Sequence, residues 1–168
     1  SWMHSQLGYV LQTPQLFAGS VAENIAFGQP EADRSAVEEA ARMVDAHAMI
    51  TALPGGYDHE LGEGGSGLST GQKQLLSFAR AILADPRIFI LDEATSSIDT
   101  DTELRIQRAI RTMLRGRTSF VIAHRLSTVR DVDRILVLEH GAIVESGSHH
   151  DLLAREGRYA ALYRESMR

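Results

Sequence analysis

Two carboxylates, Asp92 and Glu93, stand side by side after the apolar run Ile88-Phe89-Ile90-Leu91. Such a run reads as a strand buried on both faces of a parallel sheet, and open α/β sheets bind ligands at the carboxyl ends of their strands. A carboxylate there can hold Mg²⁺, usually through water, because that ion keeps much of its hydration. Its neighbour can orient or deprotonate an attacking water. Strand-end acids also meet solvent with no chemistry at all, so the pair alone decides little. A second apolar run, Phe120 to Ala123, reads as another buried strand and also ends in a polar group, His124. A neutral imidazole both donates and accepts, which suits it to bridge a terminal phosphate and Glu93.

The third chemical feature is the glycine-dense stretch LGEGGSGLSTGQKQLL, residues 61–76. Gly62, Gly64 and Gly67 satisfy G-x-G-x-x-G, but a dinucleotide site needs those glycines to follow a strand inside a compact βαβ unit. Tyr57 to Leu61 is too short and too polar for a central strand. A nucleotide P-loop needs G-x-x-x-x-G-K-[ST], and the only lysine, Lys73, lies between Gln72 and Gln74. The glycine pattern lacks its structural context, and the P-loop motif does not occur in this chain. Two readings stay open at this point: Ser69 to Gln72 place amides and a hydroxyl at the start of a helix, where an anion can bind, or the stretch simply turns a corner.

These groups need elements to position them. Gly8 to Leu11 reads as a short strand broken at Thr13-Pro14. From Ser35, taken as the N-cap, Val37, Ala40, Ala41, Val44 and Ala48 follow helical spacing. A second helix starts near Thr70, buries Leu75, Leu76, Ala79, Ile82 and Leu83, and stops at Asp85-Pro86. Another carries Ile106, Ala109, Ile110, Met113 and Leu114 on one face. Arg134 to Glu139 and Ala142 to Ser146 flank His140-Gly141 as a hairpin, and two short helices start at Ser148 and near Arg158. The strand–helix–strand order predicts an α/β sheet with right-handed crossovers. Residues 20–85 read as an inserted helical subdomain.

Composition narrows the functions. The chain has 168 residues, a net charge of −5 and no cysteine. Its basic residues are scattered rather than gathered into a stripe, against nucleic-acid binding. Without cysteine there is no disulfide and no thiolate metal site. The apolar runs are far below the ~20 residues of a membrane span. His149-His150 cannot converge on one ion from adjacent positions of a short helix and are expected to face solvent.

Taken together and in order, the motifs resemble the nucleotide-binding domain of ATP-binding cassette (ABC) transporters. LSTGQ (Leu68 to Gln72) is similar to that family's signature motif, FILDE to its Walker B strand, and SSID (Ser96 to Asp99) to its D-loop. AHRLST resembles the switch-histidine segment, and YVLQTPQLFAGSVAENI the Q-loop region with its glutamine at Gln12. HELGEGGSG looks like the loop that touches the membrane domains in exporters. The resemblance covers essentially the whole chain and is of the exporter type.

It implies a partial P-loop NTPase-type α/β domain, with a mostly parallel core sheet and an inserted α-helical subdomain. Residues 1–19 would be the Q-loop strand and loop, 20–85 the helical subdomain ending in the signature helix, and 86–168 the RecA-like core part. It implies ATP and Mg²⁺ as cofactors, with Asp92 and Gln12 at the metal, Glu93 as general base, and His124 and Gln12 catalytic. Ser69, Thr70, Gly71 and Gln72 would contact ATP held by an opposite protomer, and Asp99 would be a further cofactor-binding residue. The implied partners are a second nucleotide-binding domain and the transporter's membrane domains, at the cytoplasmic face of the membrane and without nucleic acid. An ABC-type ATPase acting on nucleic acid, or a catalytically inactive fragment, is the alternative.

The chain departs from the family pattern in three places. Thr70 stands where the commonest signature has glycine, and Gly64 replaces a bulky, often basic residue. The P-loop, the adenine-stacking aromatic and the first strands would precede the Q-loop, and Ser1 to Leu7 leave no room for them. Trp2 is expected to pack rather than stack on a base. The chain is expected to be a truncated portion of such a domain, and inactive in isolation.

Overall fold

The computed structural model describes residues 6–11, 13–92, 100–123, 126–130 and 132–166. Trp2, Gln12, Glu93, the segment Ser96 to Asp99 and His124 lie outside them. The chain divides into two compact units, Ser1–Ile122 and Ala123–Arg168.

The first unit opens with β1 (Leu7–Val10), and β2 (Gly19–Ser20) leads directly into α1 (Val21–Ala26). Ser20 caps α1 reciprocally: its Oγ accepts the Glu23 amide at 3.1 Å, and Glu23 Oε2 accepts the Ser20 amide at 2.7 Å. The periodic segment expected from Ser35 through Ala48 proves to be two helices. The cap of α2 (Arg34–Met43) is Asp33, whose carboxylate accepts the Ala36 amide at 2.8 Å. The helix ends because Asp45 takes a left-handed φ of 59°, a conformation short polar side chains tolerate. α3 (His47–Thr51) then starts on a new axis, and Ala48 is exposed rather than buried with Val37, Ala40, Ala41 and Val44.

β3 (Glu60–Leu61) pairs antiparallel with β2 as a two-residue ribbon, consistent with the segment's exclusion as a central strand. α4 (Thr70–Leu83) buries Leu75, Leu76, Phe78, Ala79 and Ile82 and is followed by Asp85, with φ of 42°, and Pro86. Then come β4 (Ile88–Asp92), α5 (Thr100–Leu114) and β5 (Thr118–Ile122). The sheet has the order β1-β4-β5, all parallel, with Leu7 to Val10 opposite Ile88 to Leu91 and Ile88 to Asp92 opposite Thr118 to Ile122. This is the α/β fold that the element order implied.

Burial on both faces of β4 and β5 is not what the structure has. Val10, Phe89 and Leu91 point to one face and share a core with Leu75, Leu76 and Phe78 of α4 and Ile106, Ile110 and Met113 of α5. The opposite face carries Tyr9, Ile90, Phe120 and Ile122, and the last two are 57% and 52% exposed. Within this unit α4 and α5 lie on the same side, and no described element covers the other.

The second unit comprises α6 (Leu126–Arg130), β6 (Ile135–Glu139), β7 (Ala142–Gly147), α7 (His149–Ala154) and α8 (Arg158–Ser166). β6 and β7 form the expected hairpin, and His140 and Gly141 both have positive φ (50° and 79°). That pair of signs is what a two-residue turn needs to match strand twist. Ile135, Val137, Leu152 and Tyr159 form this unit's core. His149 corrects the sequence reading, because it is buried rather than solvated. Its Nδ1 shares a hydrogen bond of 2.6 Å with Tyr159 Oη, and only His150 faces outward.

Candidate functional site

Asp92 closes β4, so its carboxylate sits at the carboxyl edge of the central strand, partly exposed and on the open face of the sheet. Because β1, β4 and β5 are parallel, their carboxyl ends share that edge. In sequence, Gln12 follows β1 by two residues, Glu93 follows β4 directly, and His124 follows β5 by two. Among the candidate metal and catalytic residues, Asp92 alone has a described position. Among the described residues no cluster of His, Asp or Glu is arranged to hold a metal ion.

Ser69, Thr70, Gly71 and Gln72 meet at the start of α4, and Asp99 lies outside the described residues. Ser69 is the N-cap: its Oγ accepts the Gln72 amide at 3.2 Å, and Gln72 Oε1 accepts the Ser69 amide at 2.9 Å. This reciprocal cap is why the helix starts at Thr70, and it spends two of the amides that an anion would otherwise reach. The Thr70 and Gly71 amides, the Ser69 hydroxyl proton and the Gln72 carboxamide NH₂ stay outside the cap and can serve a phosphate. Thr70 is exposed, so its extra Cβ meets no crowding in this turn, while Gly71 is buried. Gly64 has a φ of 66°, with open space where a Cβ would be. A bulky residue there would therefore fit sterically but strain the backbone. At Gly65, φ of 69°, a Cβ would come within 2.7 Å of Leu16 Cδ1. That glycine allows the glycine stretch to lie against loop 13–18.

Between these two segments is a cavity of about 710 Å³, with Thr13, Leu16 and Phe17 on one side and Glu63, Thr70 and Lys73 on the other. Lys73 is thus a partly covered wall residue. Asp92 does not line the cavity, and no side-chain hydrogen bond or ion pair among the described residues joins it to Ser69–Gln72.

Arg80 and Asn24 belong to none of the sequence motifs and yet tie two segments together. Arg80 lies on α4 among Phe78, Ala79, Ala81 and Ile82, where its guanidinium donates to Asn24 O (2.7 Å), Gln15 O (2.9 Å) and Asn24 Oδ1 (3.2 Å). It also lies 5.4 Å from the ring centroids of both Phe17 and Phe27, which stack at 4.4 Å. Burial pushes its pKa down from the usual arginine range, but the guanidinium stays charged at neutral pH. Asn24 is buried; its Oδ1 accepts the Phe17 amide and its Nδ2 donates to Phe17 O, both at 2.9 Å. The available signal was an arginine inside an apolar helix segment, which must find acceptors.

Comparison with known proteins decides the family. Residues 1–96, more than half the chain, match the family model described as "ABC transporter". The chain belongs to the ABC transporter family. It is 55% identical over 160 residues to the ABC transporter ATP-binding protein YknV of Bacillus subtilis, itself uncharacterised, covering 95% of this chain and 26% of that protein. It is 53% identical over 161 residues to an ATP-dependent lipid A-core flippase of Chromohalobacter salexigens, covering 96% and 28%. It is 52% identical over 162 residues to a fatty acid ABC transporter ATP-binding/permease protein of Mycobacterium bovis, covering 96% and 26%. Among solved structures, a bacterial Atm1-family ABC exporter with ATP bound superposes with a TM-score of 0.88 at 43% identity, over 98% of this chain and 29% of that one.

The ABC portion seen here is an ATP-binding domain of exporter type, and it spans about a quarter of the length of these relatives. The resemblance carried by Leu68 to Gln72 and by the Ile88–Asp92 strand therefore names the right family and the right fold. No described helix is long and apolar enough to cross a membrane. The relative from Mycobacterium bovis, by contrast, is described as both ATP-binding and permease.

Proposed function

We propose that this domain binds Mg-ATP jointly with a second nucleotide-binding domain and hydrolyses it to drive export by attached membrane domains. Asp92 and Gln12 would hold Mg²⁺, which would neutralise charge on the phosphates, and Glu93 would accept a proton from the attacking water. His124 holds the terminal phosphate. Ser69, Thr70, Gly71 and Gln72, with Asp99, serve the ATP bound on the opposite protomer. What supports this reading is the strand arrangement: three adjacent parallel strands lead, in sequence, into Gln12, into Asp92-Glu93 and toward His124. Asp92 does not line the cavity bordered by Thr70, which is compatible with a signature turn that serves a second protomer's site. Residues 20–85 serve as the helical subdomain that presents that turn.

The deciding experiment is Glu93→Gln in the full-length transporter. The amide keeps the shape but cannot take the proton, so turnover falls by roughly 10²–10⁴-fold while ATP binding, measured by nucleotide titration, is retained. Near wild-type turnover would reduce Glu93 to a strand-end acid. The 168-residue chain alone contains no P-loop lysine and is expected neither to bind Mg-ATP in the low-micromolar range nor to hydrolyse it. Titration calorimetry checks that.

A further inference from the structure

The loop at residues 13–18 has no regular structure, yet its backbone is tied down at two points. Phe17 exchanges both its amide and its carbonyl with the Asn24 carboxamide, and the Gln15 carbonyl accepts from Arg80. Asn24 is itself held by Arg80, through its backbone oxygen and through Oδ1. One guanidinium therefore reaches the loop twice, directly at Gln15 and indirectly through Asn24. It also lies against the Phe17 and Phe27 rings. The planar five-donor fork suits this arrangement, which an ammonium cannot reproduce, because a lysine is a point charge on a flexible stem.

Arg80 stands on the same helix as the signature turn, eleven positions after Ser69. At about 1.5 Å per residue that is roughly 16 Å along a rigid rod. One end of α4 carries Ser69–Gln72, with Thr70 and Lys73 on the cavity wall; the other grips the loop whose Thr13, Leu16 and Phe17 form the opposite wall. We propose that Arg80 is a positioning residue that locks loop 13–18 to the signature helix and so fixes the geometry between the two. A shift of α4 at its Ser69 end is then transmitted through Arg80 to the chain that directly follows Gln12 in sequence. The consequence for turnover rests on the function proposed above; the mechanical tie does not.

The test uses the full-length transporter and the variant Arg80→Lys, read by amide hydrogen exchange and by steady-state ATPase kinetics. Loss of charge-assisted hydrogen bonds is expected to raise exchange over residues 13–18 by at least about tenfold, with α2 unchanged. Misplacing the loop is expected to lower kcat by about tenfold with less change in KM for ATP. Unchanged exchange over 13–18 overturns the proposal, as does a uniform rise across α2 and α4, which would make Arg80 a general stability residue. A higher KM at constant kcat overturns it too. If the wild-type protein proves inactive toward ATP, the functional reading fails and the exchange measurement still decides the tie. Should Arg80→Lys not fold, Phe17→Leu strips one ring from the stack and leaves the hydrogen bonds, with an expected rise of about threefold over 13–18; no rise there overturns the proposal.

Discussion

The two faces of the β1-β4-β5 sheet are built from nearly the same residue types and have opposite fates. On one, Val10, Phe89 and Leu91 are almost fully buried under α4 and α5. On the other, Tyr9, Ile90, Phe120 and Ile122 find no cover in their unit. The hairpin of the second unit repeats the contrast, with Ile135 and Val137 packed on Leu152 and Tyr159 while Leu136, Leu138 and Ile143 are exposed. Isolated apolar residues at a surface are ordinary, but contiguous apolar patches mark surfaces that other parts or partners use. Burial in this chain is therefore a property of the face and not of the residue type.

The largest expected effect tests that contrast within one strand pair. Phe89→Ala empties a site with no exposed surface, and such truncations cost about 3–5 kcal/mol, much of the 5–15 kcal/mol that holds a typical domain together. Phe120→Ala, on the open face, is expected to cost no more than about 0.5 kcal/mol. Denaturant titration of both variants measures the difference, and equal losses would mean that both faces are covered in solution. The open face should also drive association. At raised concentration the 168-residue chain is expected to self-associate, and Phe120→Ser with Ile122→Ser to reduce it. Sedimentation velocity reads this directly, and a concentration-independent monomer before substitution would contradict it.

That contrast also explains what was legible in the sequence. The runs Ile88 to Leu91 and Phe120 to Ala123 announced strands, their direction and the family they belong to, because a continuous apolar run and its bounding motifs are local. Which face receives the helices is not local, since it depends on where α4 and α5 pack, so a continuous apolar run predicts burial on both faces where one stays open. The start of α4 was legible because Ser69 and Gln72 cap each other across three residues. The break at Asp45 was hidden inside a periodicity that Val44 and Ala48 continue on paper. Arg80 and Asn24 were passed over because their partners are mostly backbone carbonyls, which no motif of side chains records. The adjacent pair His149-His150 predicts solvation, whereas Tyr159, ten residues on, decides the environment of His149.

His149 gives the smallest effect and the sharpest version of the contrast, because it is an ionisable group on the packed side of its unit. It faces Tyr159 and Tyr163 of α8, with ring centroids 5.8 and 5.1 Å away, and the adjacent His150. Desolvation pushes its pKa below the ordinary 6.5, and the positive charges of His150 and of Arg130 on α6 add to that. The unfolded chain therefore binds a proton more readily than the folded one. The stability that His149 contributes is fully present above about pH 6.5 and is lost as pH falls through the lower, folded value. Protection of α7 and α8 amides from exchange, corrected for intrinsic rates, is expected to decline from pH 7.5 toward pH 5. In His149→Gln, which keeps a polar group in place but cannot titrate, the decline should be markedly shallower. The glutamine also separates this residue from Asp151, whose pKa is lowered by its hydrogen bonds to Ser148 and whose contribution persists in the variant. Identical pH slopes in the two proteins would place the titration elsewhere and make the buried His149–Tyr159 pair a packing contact alone.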